Sequence, residues 1–101
     1  MPELPEIETT VKDLSFITGL FIRKTKLYRK DIRYPIPNQI TTITKNSRIL
    51  KIIRIAKYIV INLDNFHSII IHLGMSGRLR ILSNLQSREK HDHVDFILNN
   101  K

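Results

Sequence analysis

The 101-residue sequence contains no cysteine, which rules out disulfide bridges and thiolate metal ligands at once. Long apolar runs are also missing: none approaches the roughly 18 residues that a membrane-spanning helix requires. The amino terminus is acidic and carries proline where a secretory leader would be basic and then apolar, so no membrane partner and a cytoplasmic location are expected. Acidic residues are scarce, nine Asp and Glu against seventeen Lys and Arg, for a formal charge of +8. The basic excess runs from Lys24 to Lys90 and is not gathered into a tail. That spread predicts a basic face and a polyanionic partner, nucleic acid ahead of a membrane surface.

Hydrophobic residues make up 42% of the chain and charged residues 26%, which is ordinary for a folded soluble protein and unlike a disordered one. At this length the chain forms one domain, and folding buries roughly 65% of the surface that the unfolded chain exposes. No repeat or low-complexity tract interrupts it. Ile7, Val11 and Leu14 recur at helical spacing with Glu8, Lys12 and Asp13 between them, predicting an amphipathic helix over about 3–16. Pro2 and Pro5 suit its first turn, Glu3 and Glu6 suit the positive end of its dipole, and Gly19 is a natural stop.

Beyond Gly19 the pattern changes to short runs rich in Ile, Val, Thr and Tyr, which predict strands at 20–28, 48–55, 58–63, 68–73, 78–82 and 94–98. The stretch 35–44 fits neither pattern. Asp64-Asn65 and 74–77 read as turns, and connections this short favour antiparallel pairing. The class is therefore mainly β with a helix at the start. The last run meets Asn99-Asn100, hairpin-turn chemistry with no return strand after it. An unpaired final edge is something natural proteins avoid, so 1–101 is expected to be one domain, incomplete at its carboxyl end.

Several segments carry chemistry. If Met1 is removed, Pro2 presents a secondary amine at the start of a helix. An α-amino group has a reference pKa of about 7.7–8.0 against about 10.4 for lysine, so a usable fraction is neutral at pH 7. The helix dipole and nearby cations lower that pKa further, while Glu3 and Glu6 oppose them. A secondary amine condenses with a carbonyl or an opened sugar to give a cationic iminium, the electron sink that elimination needs, with Glu3 close enough to move protons. The same residues also make an ordinary helix start. Lys57 stands at the mouth of an apolar strand, where snorkelling to the surface accounts for it equally well.

In His72-Leu73-Gly74-Met75-Ser76-Gly77-Arg78, two glycines bracket a flexible thioether beside Arg78 and Arg80. Such a tip can wedge between bases while the cations hold phosphates, or Met75 can fold back onto its own core. An extended Lys90-His91-Asp92-His93-Val94-Asp95 would align His91, His93 and Asp95, a set open to zinc or to phosphate contact. His67 and His72 read as ordinary strand or turn histidines.

Taken together, Met1-Pro2-Glu3-Leu4-Pro5-Glu6-Ile7-Glu8-Thr9, Ala56-Lys57-Tyr58, Ile71-His72-Leu73-Gly74-Met75-Ser76-Gly77 and Lys90-His91-Asp92-His93-Val94-Asp95 resemble, in order and spacing, the amino-terminal domain of the formamidopyrimidine-DNA glycosylases. The resemblance covers the whole chain. It implies a two-layer antiparallel β-sandwich with an amino-terminal α-helix and a flanking helix. It also implies base-excision repair of damaged double-stranded DNA by a glycosylase that doubles as an AP lyase. Leu4 resembles the branch acting on oxidised purines such as 8-oxoguanine and formamidopyrimidines; the branch acting on oxidised pyrimidines usually has Gly there.

By the same resemblance, Pro2 is the Schiff-base nucleophile at the sugar C1′, Glu3 the acid assisting base loss and ring opening, and Glu6 a pocket residue. Lys57 acts in β-elimination, holds phosphate near the lesion and helps keep the Pro2 amine neutral. Met75 fills the gap left by the flipped nucleotide and His91 contacts the DNA backbone. Family members are much longer, adding gap-filling arginine and aromatic residues, a helix-two-turn-helix clamp and a four-cysteine zinc finger. None of these occurs here, so no cofactor is expected in this chain and zinc is not carried over. Half the DNA-binding cleft is absent, which predicts weak, strongly salt-dependent affinity. A chain supplying the carboxyl-terminal part is one partner to expect; otherwise a monomer. The competing readings are a non-catalytic basic nucleic-acid-binding module, or decayed gene product, and a metal-binding protein using His91 and His93.

Overall fold

The structure is a computed structural model that describes residues 4–28, 36–72 and 94–99. Helix α1 spans Leu4–Leu14, and a 3-10 turn over Ser15–Ile17 continues it. Its apolar stripe faces inward as the spacing predicts: Ile7 and Leu14 are buried and Val11 packs against them. Glu6 lies in the first turn and Lys12 in the last, each at the dipole end that favours its charge. Gly19 then takes a φ of 91°, a region closed to most side chains. The turn this allows brings the Gly19 N–H onto the Ile49 carbonyl at 2.7 Å.

Five strands follow: β1 Phe21–Leu27, β2 Ser47–Ile55, β3 Tyr58–Leu63, β4 Ser68–Ile71 and β5 Val94–Asn99. They form one sheet in the order β4-β3-β2-β1-β5 with every neighbour antiparallel. The mainly β, antiparallel architecture with a leading helix is the one the sequence predicts. The sheet divides at β2, whose first residues pair with β1 while the rest pair with β3. A register shift between Ile49 and Lys51 marks the change, and such bulges bend and twist a strand.

A second shift, between Ile22 and Lys24, explains why Ile22 and Thr25 are both buried although three residues apart. One inserted residue reverses the alternation. Ile59, Ile61 and Leu63 of β3, with Ile69 of β4 and Ile49 of β2, join the helical stripe in the core. Val60 is buried on the other face of β3.

The ambiguous stretch resolves in part into a short helix α2, Ile40–Ile43, which packs on β1. Its hydroxyls settle the polar groups buried there. Thr44 Oγ1 donates to the Ile40 carbonyl at 2.6 Å, so the 2.6 Å contact between the Thr25 and Thr44 hydroxyls has Thr25 as donor. Two details differ from the sequence reading. Asn99 is not in a turn but laddered opposite Phe21, with its side-chain oxygen accepting from Arg23 Nε at 2.8 Å. Strand β4 ends at Ile71, while the expected turn at 74–77 and strand at 78–82 lie outside the described residues.

Candidate active site

Lys57 occupies the second position of a two-residue hairpin turn, because Ile55 and Tyr58 are paired across it. Ala56, the first position, takes a φ of 53°, left-handed backbone that L-residues visit at a cost. The turn leaves Lys57 exposed, with Nζ 5.8 Å from the centre of the Tyr58 ring. The same ring neighbours His72, at 5.5 Å and tilted by 50°. His72 directly precedes residues 73–93, which lie outside the described set.

Arg54 connects this hairpin tip to the helix. Its cross-strand partner is the buried Ile59, so its side chain shares the sheet face that α1 covers. Nε pairs with the Glu8 carboxylate of α1, while Nη1 donates to the Ala56 carbonyl at 2.9 Å. The sequence reading missed Arg54 and Glu8 as site residues. A legible signal existed: Ile52 and Arg54 share one strand face, and a cation continuing an apolar alternation calls for a partner on the covering element.

Glu6 lies exposed in the first turn of α1, the helix that directly follows the terminus. Pro2, Glu3, Met75 and His91 lie outside the described residues. Asp95, the third member of the zinc or phosphate set, is within them, and its Oδ2 accepts a 2.7 Å bond from the Tyr28 hydroxyl. Among the described residues no three His, Asp or Glu side chains gather as metal ligands. With no cysteine in the chain, the residues do not fit the four-cysteine zinc centre of the longer family members.

Residues 1–101 match the formamidopyrimidine-DNA glycosylase N-terminal domain. The chain belongs to that family. Among curated relatives, the formamidopyrimidine-DNA glycosylase of Rickettsia canadensis is 45% identical over 101 residues, covering 99% of this chain and 37% of the relative. That of Xylella fastidiosa is 44% identical over 102 residues, covering 100% and 38%. Among solved structures, Lactococcus lactis Fpg bound to DNA containing FAPY-dG superposes with a TM-score of 0.86 at 29% identity, over 95% of this chain and 37% of that one. The Thermus thermophilus MutM (Fpg) protein gives 0.77 at 30% identity, over 99% and 34%. The chain thus spans little more than a third of these relatives' length. Family membership accounts for the four motifs that the sequence carries, and the fold is that of the family's amino-terminal domain.

Proposed function

We propose that this chain carries the amino-terminal catalytic part of a bifunctional DNA glycosylase and AP lyase that removes oxidised purines from double-stranded DNA in base-excision repair. Pro2, freed of Met1, attacks the sugar C1′. The bond from C1′ to the damaged base breaks, the base leaves with a proton, and the amine gives up its own. Glu3 supplies the proton that opens the sugar ring at its oxygen, leaving an iminium between C1′ and the proline nitrogen. That cation acidifies the C2′ hydrogens, so removal of one expels the 3′ phosphate and cuts the strand. Water then hydrolyses the iminium and releases the protein.

Lys57 acts in the elimination and holds a phosphate, Glu6 lines the pocket, Met75 fills the gap left by the flipped nucleotide, and His91 touches the backbone. DNA is the partner, and a carboxyl-terminal segment or second chain would complete the cleft. The observation that carries the reading is the placement of Lys57, exposed at a tight hairpin tip that Arg54 tethers to the helix following Pro2-Glu3. Relatives named as formamidopyrimidine-DNA glycosylases support it.

Sodium borohydride reduces an iminium to a stable amine, so it tests the reading directly. Protein shown by intact mass to lack Met1, incubated with a duplex carrying an abasic site or 8-oxoguanine, should become covalently attached to the DNA. Salt-dependent binding with no adduct, unchanged in Pro2→Gly, would identify a non-catalytic basic module instead.

A further inference from the structure

We propose that Arg54 is a positioning residue for this reaction: its guanidinium joins Glu8 of α1 to the Ala56 carbonyl, holding the hairpin tip that carries Lys57 in fixed relation to the helix that follows the amino terminus. The inference rests on the proposed function for its catalytic meaning, and on geometry alone for the coupling itself.

Three observations carry it. The two bonds leave one guanidinium in different directions, Nε to Glu8 and Nη1 to the Ala56 oxygen at 2.9 Å, so one rigid planar group spans both elements. The carbonyl it holds belongs to Ala56, whose φ of 53° is unusual for an L-residue, and the peptide bond beyond that carbonyl leads to Lys57. Unusual backbone persists where surrounding contacts over-determine it, and such positions concentrate at working sites. Finally, the Arg54 side chain is 29% exposed against 54% for Glu8, so the arginine is the more enclosed member of the pair.

A mechanism that passes one sugar from an amine at the helix start to a lysine-assisted elimination requires those two groups in register. A misplacement of about 1 Å can cost on the order of a hundredfold in rate. Charge alone does not supply the register. A lysine at 54 can meet Glu8 as a point charge, but it lacks the fork that reaches the Ala56 carbonyl as well.

Two measurements test the proposal, one independent of activity. Amide hydrogen exchange in Glu8→Gln, compared with the unsubstituted chain, should show about tenfold faster exchange at Lys57 and Tyr58, with β1 and β5 unchanged. Unchanged exchange there overturns the coupling. In the borohydride assay, Arg54→Lys should bind duplex DNA within about twofold of the unsubstituted chain and melt no more than about 8 °C lower, as the loss of one hydrogen bond allows, yet form the trappable iminium and cleave the strand about tenfold more slowly. Equal rates overturn the positioning role, as does a rate loss matched by an equal loss of binding. If the unsubstituted chain forms no adduct, the catalytic reading falls and takes that role with it, while the exchange data still decide the coupling.

Discussion

Replacing Ala56 by glycine should make the protein more stable, the reverse of what glycine does at most positions. At a φ of 53° the alanine Cβ crowds its own backbone, a penalty of about 1–2 kcal/mol that glycine escapes. Against this, glycine gives the unfolded chain more freedom, which costs about 0.4–1 kcal/mol. The difference leaves a net gain centred on about 0.8 kcal/mol, with about 0–1.6 kcal/mol as its limits, or a rise in Tm of about 3–6 °C at the centre for a chain of this length. The Arg54 bond to residue 56 uses a backbone carbonyl and survives the change. Ala56→Val should move stability the other way, by more than 1 kcal/mol on the same order-of-magnitude scale, because a β-branched side chain tolerates positive φ least. Urea denaturation of the three proteins under identical buffer would decide it. A glycine variant less stable than alanine, or a valine variant equal to it, would refute the assignment of strain to this turn.

Two other perturbations read separate parts of the account. Thr44→Val should destabilise by about 1–3 kcal/mol because it strands the buried Thr25 hydroxyl, while the Ile40 carbonyl keeps the Thr44 N–H; Thr25→Val leaves both Thr44 bonds to Ile40 intact and should cost about 1 kcal/mol or less, and equal losses in thermal melts would contradict the donor order. Lys57→Ala should change stability by less than about 1 kcal/mol, as an exposed side chain over one aromatic ring. The same variant should lower the slope of log affinity for duplex DNA against log salt by about 0.9, and an unchanged slope would remove the phosphate role.

The helix was legible because its apolar residues recur at one period over three turns, and Ile7 and Leu14 are buried as that period requires. Strand β3 was legible to the residue, being apolar, β-branched and bounded by turns at both ends. Bulges were not legible, since nothing in Arg23 or Leu50 announces an inserted residue, and both change which side chains face inward. Asn99 misled for a related reason. Asparagine favours turns when solvated, but here Arg23 occupies its side-chain oxygen and the backbone is free to continue the ladder. At the site, the motifs pointed to Lys57; Arg54 was legible as a cation on the apolar Ile52 face that needs a partner, but the partner was not, because Glu8 lies 46 residues away.

The central claim is that the nitrogen of Pro2 is the group that becomes covalently joined to the damaged sugar. Mass spectrometry of the borohydride-reduced adduct, after digestion with protease and nuclease, locates the joined residue. The account predicts a sugar remnant on the amino-terminal peptide, on the nitrogen of residue 2. A remnant on Lys57 or another lysine in the unsubstituted chain would contradict it.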